Sequence, residues 1–299
     1  MDFRFRRMVI FALLSLAVVH APAAETFRIA EYNVQNYLEE PSGSRPAKSP
    51  EAKAAVREAI LAARPDVIAL EEIGGTNALF ELQASLKAGG LDLPNWELVW
   101  GPDTNIHNAV LSRFPITGRH PQTNDYFLLA GRRWRVSRGF LDVDIKVNSR
   151  FTFNLMSVHL KSKVPTPEAD EADQRLEEAK ILRSKLDSRL STNPNLNLIV
   201  LGDFNDLQDS EPLKTILGRG NRELVDTRPT ERTSDHAGTI SWTEHWKAAD
   251  SYERIDYILL SHAMAREWDA NGTYILSLPD WETASDHRPL VASFTIPGP

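Results

Sequence analysis

The chain contains no cysteine among its 299 residues. This absence excludes a disulfide framework, a zinc finger, an iron–sulfur cluster and a thiolate nucleophile, so any metal ion must be held by oxygen atoms and imidazole nitrogens. Positive charge is also scarce, since 34 Lys and Arg stand against 41 Asp and Glu, for a formal net charge of −7. Net charge alone therefore does not favour nonspecific binding to polyanions.

Long apolar runs are few, and the first lies near the N-terminus. Three arginines, Arg4, Arg6 and Arg7, precede the apolar residues 8–19, and the small residues APAA follow at 21–24. This order is typical of a secretory signal peptide, and the run is shorter than the roughly 20 apolar residues of a membrane span. The sequence therefore predicts a signal peptide over residues 1–24 and a secreted or periplasmic mature protein that begins near Ala24 or Glu25. The alternatives are a retained anchor and an N-terminal helix packed on the domain.

Residues 25–299 lack a linker or a low-complexity tract, and we expect them to form one α/β domain in which strands outnumber helices. Ser49 and Pro50 suit the start of a helix that ends at Pro65, and a second helix runs from Thr76 to the residue before Gly89. A third, longer helix is predicted within 168–190. Strands are predicted over 27–35, 67–70, 96–100, 108–113, 140–147, 151–160, 196–203, 254–260 and 289–296. Residues 140–147 alternate and predict one solvated face, whereas 151–160 are apolar at both parities and predict a strand covered on both sides.

Four acidic residues stand where an apolar strand begins, ends or is interrupted: Glu72, Asp203, Asp256 and Asp286. Carboxylates beside such runs are costly to bury unless a cation or hydrogen-bond donors compensate them. Each motif also has a purely structural explanation. For example, Gly-Asp-Phe-Asn at 202–205 is a common turn sequence, and Asp256 also suits an ion-paired residue on an edge strand. One shared site explains all four together.

Six motifs carry a family resemblance. YNVQN (32–36), LEEI (70–73), SVHLKS (157–162), GDFND (202–206), RIDYIL (254–259) and SDHRP (285–289) resemble the successive signatures of the endonuclease/exonuclease/phosphatase superfamily of DNase I-like metal-dependent phosphoesterases. The resemblance spans 27–296. It implies a four-layer α/β sandwich, with two packed mixed β-sheets, helices on the outer faces and a site at one end of the sheets. It also implies a divalent-metal-dependent phosphoesterase, usually with Mg²⁺.

The resemblance also implies a role for each motif residue. Glu72 would be the main metal ligand, with Asn33 and Asp286 supporting that ion or a second one. Glu71 stands where the family often has Gln, so the choice of Glu72 rests on register. The implied catalytic residues are Asp203 to orient or deprotonate water, Asn205 to bond a phosphoryl oxygen, Asp256 to orient His287, His287 to stabilise the phosphorane-like charge, and His159 to assist the leaving oxygen.

Physical chemistry supports this set, because phosphodiester hydrolysis needs a hard cation, a base near the attacking water and proton delivery to the leaving group. The alternatives are a core histidine at position 159 and a surface-turn histidine at 287. The SVHLKS segment is more similar to DNase I-like, sphingomyelinase-like and deadenylase-like members than to AP endonucleases. Motifs of inositol polyphosphate 5-phosphatases and of calcineurin-type enzymes are absent from the sequence.

Substrate signals are weaker. The segment 131–139 places Arg132, Arg133, Arg135 and Arg138 around Trp134, which suits phosphate contacts and base stacking, although a solvated edge strand explains it equally well. Lys161 follows His159 and adds positive potential. Trp242 and Trp246 precede the Asp256 strand, where they suit either a substrate groove or packing.

The sequence thus predicts a secreted, monomeric phosphodiesterase that uses Mg²⁺ or Mn²⁺, has no stable protein partner and acts on nucleic acid. One alternative is a sphingomyelinase-like enzyme that recognises a phospholipid headgroup. It would need an exposed apolar hairpin, for which 126–131 is the one candidate. The other alternative is a catalytically silent binding module on the same fold.

Overall fold

The computed structural model describes residues 24–233, 236–237 and 239–299. The predicted signal peptide lies outside this part of the chain except for Ala24. None of the described helices is long and apolar enough to cross a membrane.

The described part of the chain contains four α-helices, and three of them begin at a side-chain cap that the sequence supplies. The helices are α1 (Pro50–Ala63), α2 (Thr76–Ala88), α3 (Glu171–Thr192) and α4 (Glu211–Leu217). Ser49 accepts the amide N–H of Ala52 at the start of α1, and Asp170 accepts two amides at the start of α3. The three predicted helices are therefore confirmed, and α3 runs two residues past its predicted end.

The strands, numbered in chain order, include every predicted one. They are β1 (Glu25–Tyr37), β2 (Val67–Ile73), β3 (Asn95–Val99), β4 (His107–Ser112), β5 (Ile116–Arg119), β6 (Tyr126–Leu129), β7 (Arg132–Arg135), β8 (Phe140–Lys146), β9 (Thr152–His159), β10 (Leu198–Asp203), β11 (Val225–Asp226), β12 (Glu231–Thr233), β13 (His236–Ala237), β14 (Glu244–Trp246), β15 (Ser251–Glu253), β16 (Asp256–Leu260), β17 (Trp268–Leu276) and β18 (Leu290–Ile296).

Most strands belong to two mixed sheets. Sheet I has the order β13-β12-β17-β18-β1-β2-β4-β3, and sheet II has the order β11-β16-β10-β9-β8-β5. The pairs β1–β2 and β9–β10 are parallel, and their neighbours across the sheet are antiparallel. Two hairpins, β6–β7 and β14–β15, lie outside both sheets.

Three apolar layers hold the fold together. The layer between the sheets is built from inward residues such as Phe27, Ile199 and Phe294. A second layer packs α1 and α2 on sheet I, and a third packs α3 and α4 on sheet II. The predicted four-layer α/β sandwich is confirmed.

The expected solvated face of β8 is only partly present, because Lys146 is exposed and Asp144 is half-buried but Asp142 is buried. Asp142 is 1% exposed, and it contacts Asn154 (2.9 Å) and ion-pairs with Arg189 of α3. Helix α3 covers Asp142, and Arg189 of that helix compensates a carboxylate that would otherwise be buried without a counter-charge.

Candidate active site

The polar site lies at one end of the two sheets, where the inward-facing side chains of the strands change from apolar to polar. Alternation in β10 points Ile199 and Leu201 between the sheets, so Asp203 follows at the same parity. The same rule carries β9 from Leu155 to His159. The residues that extend the inter-sheet layer at this end are Glu31, Asn33, Glu71, Ser157, His159, Asp203 and Asp256, and all are buried.

His287 and Asp256 form the central pair. The His287 Nδ1 lies 2.9 Å from an Asp256 oxygen, and its Nε2 lies 4.0 Å from Asp203 Oδ2. Burial opposes a charged imidazole, but Asp256, Asp203 and Asp286 outweigh it and raise the pKa of His287 well above its ordinary value. The ring is therefore a cation at neutral pH, and Asp256 orients its free N–H toward Asp203.

His159 has the opposite electrostatic bias. Its Nε2 lies 3.4 Å from Asp203 Oδ2, and its Nδ1 is buried with no hydrogen-bond partner among the described residues. Burial, together with the positive charges of Arg138, His287 and Arg45, lowers the pKa of His159 well below its ordinary value. It is a neutral imidazole at neutral pH and acts as a hydrogen-bond donor or acceptor without a charge of its own.

Asp203 lies at the centre of this network. Its oxygens accept the Asn33 amide (3.1 Å) and the backbone N–H of Asn205 (2.8 Å). Burial and the neighbouring Asp256 raise the pKa of Asp203 to about 8. Gly202 precedes it at φ +133°, where a Cβ would lie 1.9 Å from the Val158 carbonyl oxygen, so the close approach of β9 and β10 requires glycine.

Arg138 reaches the same site from another element. Its Nη1 donates to the Leu160 carbonyl (2.9 Å), which also accepts the Asn205 side-chain amide (3.2 Å). Arg138 is 7% exposed, its Nε lacks a partner among the described residues, and Asp103 lies 3.9 Å away. The guanidinium is therefore a buried positive charge beside Asn205.

Two buried carboxyl groups lie behind Asp203. Glu71 accepts the Ser157 hydroxyl (3.2 Å), and neither oxygen of the neighbouring Glu31 has a partner in the described part of the chain. Burial, with contributions from Asp256 and Asp203, raises the pKa of Glu71 to about 8, and burial and the same neighbours raise that of Glu31 well above its ordinary value. The site thus holds more buried carboxylates than local cations.

Two of the three predicted metal ligands, Asn33 and Glu72, lie beside irregular backbone in β1 and β2, and the third, Asp286, lies in the segment before β18. Glu72 has φ +66°, and its carboxylate accepts the backbone N–H of Asn36 (2.8 Å). The Asn33 side chain accepts the N–H of Gln35 (3.0 Å), and Ser285 ties the Asn33 carbonyl to the segment that carries Asp286. A left-handed, non-glycine residue at the position of Glu72 is costly and points to a functional constraint.

The donor set fits a hard divalent cation. Buried oxygens of Glu31 and Glu71 have no hydrogen-bond partner among the described residues, and oxygen ligands suit Mg²⁺ and Mn²⁺. Asp203, Asp256 and His287 are also close enough to share an ion, with ligand atoms within 4.8 Å of one another. His287, however, is protonated and bound to Asp256, so this trio suits proton chemistry better than metal binding.

The predicted substrate residues do not form one patch. Arg132, Arg133 and Arg135 lie exposed on the β6–β7 hairpin, where Arg133 stacks on Tyr126 at 3.8 Å, while Arg138 is buried at the site. Trp134 is half-buried and donates to the Leu129 carbonyl (3.1 Å).

The Lys161 ammonium also forms hydrogen bonds within the protein. Its ammonium donates to the carbonyls of Ser162 (2.9 Å) and Val164 (2.8 Å), so it fixes its own loop.

Three further residues of the site were missed by the sequence reasoning. Glu31 lies two residues before Asn33, and β-alternation from Asn33 would have placed it on the same inward face. Glu244 pairs with His287 across an isolated bridge, and burial raises its pKa. Arg45 lies 3.5 Å from Asp103 in a loop whose sequence gives no periodic signal.

A sequence model of the Endonuclease/Exonuclease/phosphatase family matches residues 30–287. No curated relative matches the chain.

Solved structures share the fold at low identity. The human Nocturnin catalytic domain with bound sulfate is 20% identical, with 91% of this chain and 97% of that chain covered and a TM-score of 0.63. Sphingomyelinase C from Streptomyces griseocarneus is 17% identical, with coverage of 90% and 99% and a TM-score of 0.63. A Neisseria 3′ phosphatase, NExo, bound to a product DNA hairpin is 18% identical, with coverage of 90% and 99% and a TM-score of 0.58.

The family match extends over most of the chain, from the strand that carries Asn33 to His287, and the sandwich and the polar end of its sheets agree with it. The chain belongs to the Endonuclease/Exonuclease/phosphatase family.

Proposed function

We propose that this protein is a divalent-metal-dependent phosphodiesterase that hydrolyses nucleic acid by in-line attack of water. The observation that carries the proposal is the buried His287–Asp256 pair (2.9 Å) aimed at Asp203, which Asn33 and Asn205 hold in place. This arrangement supplies a cationic donor, a carboxylate base and neutral donors within one end of the sandwich.

Each residue has a role in this proposal. Asn33, Glu72 and Asp286 would hold the divalent ion, which supplies positive charge for the phosphoryl oxygens when it is bound. Asp203 orients the attacking water and, in its ionised form, which a bound divalent cation would favour, accepts its proton. The protonated His287 donates its Nε2–H to the charge that develops on phosphorus oxygens, and Asp256 keeps that ring in register.

The remaining donors act on the substrate. Asn205 and Arg138, which share the Leu160 carbonyl, face the phosphoryl group. His159 is neutral at neutral pH, so it donates a hydrogen bond to the leaving oxygen, and the negative charge on that oxygen is stabilised before solvent protonates it.

The preference for nucleic acid rests on the β6–β7 hairpin. Arg132, Arg133 and Arg135 are exposed, and none of them ion-pairs with a carboxylate in the described part of the chain. Screening confines the repulsion of the acidic whole to about 8–10 Å at ordinary salt, so these cations can contact a phosphate chain locally. A monomer with no stable protein partner suffices for this role.

A phospholipid is the second candidate substrate, and one observation favours it. Leu128 at the same hairpin is 77% exposed, beside Tyr126 at 42%, which is the exposed apolar hairpin that access to a membrane would need.

Export also belongs to the proposal, with mature protein starting near Ala24 or Glu25. N-terminal sequencing of exported protein tests it, and an intact Met1 would contradict cleavage.

A substrate panel tests the activity. Purified mature protein with Mg²⁺ or Mn²⁺ should hydrolyse DNA or RNA faster than sphingomyelin, inositol phosphates or mannose 6-phosphate, and exhaustive chelation should abolish turnover. Undiminished turnover after chelation would remove the metal from the proposal. Faster cleavage of sphingomyelin would transfer the assignment to the lipid substrate.

A further inference from the structure

A cavity of 390 Å³ opens directly beside the reaction centre. Asn205 and Asp286 line it on the inner side, whereas Trp246, Val164 and Pro165 form an apolar rim. Trp246 is 55% exposed and Val164 is 67% exposed. A substrate held by its phosphate at Asn205 therefore extends one of its two ester groups into this space.

The β14–β15 hairpin presents Trp246 to the cavity by strand alternation. On one face of the hairpin, His245 stacks on Tyr252 at 4.2 Å with an interplanar angle of 1°, and Trp242 and Trp281 complete that cluster. The opposite face carries Glu244, Trp246 and Glu253, which line the cavity. Packing of the hairpin is thus supplied by the first face, which leaves the indole of Trp246 available.

The walls of the cavity are held in place before any substrate arrives. The backbone N–H of His245 donates to the Asp286 carbonyl (2.9 Å), which ties the hairpin to the catalytic segment. An ion pair between Lys163 and Glu253 joins the hairpin to the loop that follows β9. That loop is itself fixed by the two hydrogen bonds of Lys161. A preformed pocket loses little free energy to ordering on binding.

The chemistry of the lining selects the occupant. An exposed indole with aliphatic neighbours favours a flat ring, and the Glu244 carboxyl can bond its polar edge. Glu253 neutralises Lys163, so the cavity offers no free cation for a second phosphate. We propose that this cavity is the subsite for a nucleobase next to the scissile phosphate, and that Trp246 stacks on it. This inference rests on the nucleic-acid function proposed above.

Trp246→Ala tests the stacking directly. Base–aromatic stacking is worth about 1–3 kcal/mol, which corresponds to a loss of roughly 5- to 150-fold in kcat/KM. The substrates are a dinucleotide and the same dinucleotide with the base beside the cavity removed. We expect this loss on the intact dinucleotide, mostly through KM, and less than a twofold change on the abasic one. Trp246→Phe should recover most of the activity, and Phe80→Ala, an exposed aromatic on α2 that packs on Trp96 at 4.9 Å, is the control.

The outcomes separate the two proposals. Equal losses on the intact and abasic substrates, or no loss on either, would overturn the stacking subsite while leaving the nuclease activity in place. A wild-type enzyme that cleaves neither dinucleotide would overturn the nucleic-acid function and this inference with it. A larger loss on p-nitrophenyl phosphorylcholine than on the dinucleotide would instead assign the cavity to a quaternary ammonium group, for which Trp is a good cation–π partner.

Discussion

The buried carboxyl pair Glu31–Glu71 makes the stability of the metal-free protein depend on pH in a defined direction. Glu71 is fully buried, and its pKa is raised to about 8 by burial and by nearby carboxylates. Glu71→Gln keeps the shape of the side chain, still accepts the Ser157 hydroxyl and can donate its amide N–H to Glu31. It removes one carboxyl group from a crowded site.

The sign follows from the protons bound in each state. Between the ordinary carboxyl pKa near 4.5 and about 8, folded protein keeps Glu71 protonated while the unfolded chain has released that proton. The free energy of unfolding therefore falls as pH rises, by about 1.4 kcal/mol per pH unit for each net proton. Asp203, with its pKa raised to about 8, acts in the same direction, and so does His287 above about pH 6.5.

His159 acts in the opposite direction, but only below about pH 6.5, because there the unfolded chain is the state that protonates it. The loss of stability is therefore steepest between about pH 6.5 and 8. Glu71→Gln should reduce this slope by about 1.4 kcal/mol per pH unit. At pH 8 the free energy of unfolding of the variant should exceed that of the wild type by about 1–3 kcal/mol, after the cost of burying an amide.

Urea unfolding in the presence of a chelator, at pH 5.5, 6.5, 7.5 and 8, measures these quantities by linear extrapolation. Glu58→Gln is the matched control, because that side chain is 69% exposed and should change stability by less than about 0.5 kcal/mol. Wild-type stability that stays flat or rises from pH 6.5 to 8 would refute the reasoning, as would a Glu71→Gln variant less stable than the wild type at pH 8.

Three further predictions address the catalytic site, the hairpin and the fold. Asp203→Asn or His287→Ala should lower kcat by at least about 100-fold, measured on any diester that the wild type cleaves, and folded variants with nearly full activity would displace the chemistry from this site. Replacing Arg132, Arg133 and Arg135 of the hairpin by Ser should raise KM for nucleic acid and flatten its salt dependence, while hydrolysis of bis(p-nitrophenyl) phosphate stays almost unaffected. An equal loss on both substrates would contradict a role in guiding the strand. Gly202→Ala should destabilise the fold by more than about 3 kcal/mol, because its Cβ would meet the Val158 carbonyl oxygen, and a melting curve close to that of the wild type would show that the backbones can separate.

Much of the fold follows from local patterns. Ser49 and Pro50 specify the start of α1 through cap chemistry that needs no tertiary partner, and the apolar run 151–160 predicts a strand covered on both sides because a solvated face would have needed polar residues. The same local logic failed at Asp142. Alternation reports that every second residue is polar, but not whether an arginine from a distant helix will cover and neutralise that face.

The candidate site divides in the same way. The order of the motifs predicted that Asn33, Asp203, Asp256 and His287 share one site. Strand alternation explains why, because each residue continues or adjoins an inward apolar face at one end of the sandwich. Only the tertiary structure separated Arg138 from the other three arginines, because its burial depends on Leu160 and Asp103, which belong to distant segments. Only the structure showed that the Lys161 ammonium donates its hydrogen bonds to carbonyls of its own loop.

The sequence by itself determined the strands and most of the polar residues that gather at their ends, since residue type and period are local properties. The tertiary structure decided how those residues are charged and what surrounds them. His159 and His287 have the same side chain and the same ordinary pKa. Burial, helped by Arg138, drives His159 toward the neutral form, whereas Asp256 outweighs burial and holds His287 as a cation. Electric fields depend on distances between segments far apart in the chain, and those distances exist only once the two sheets have packed.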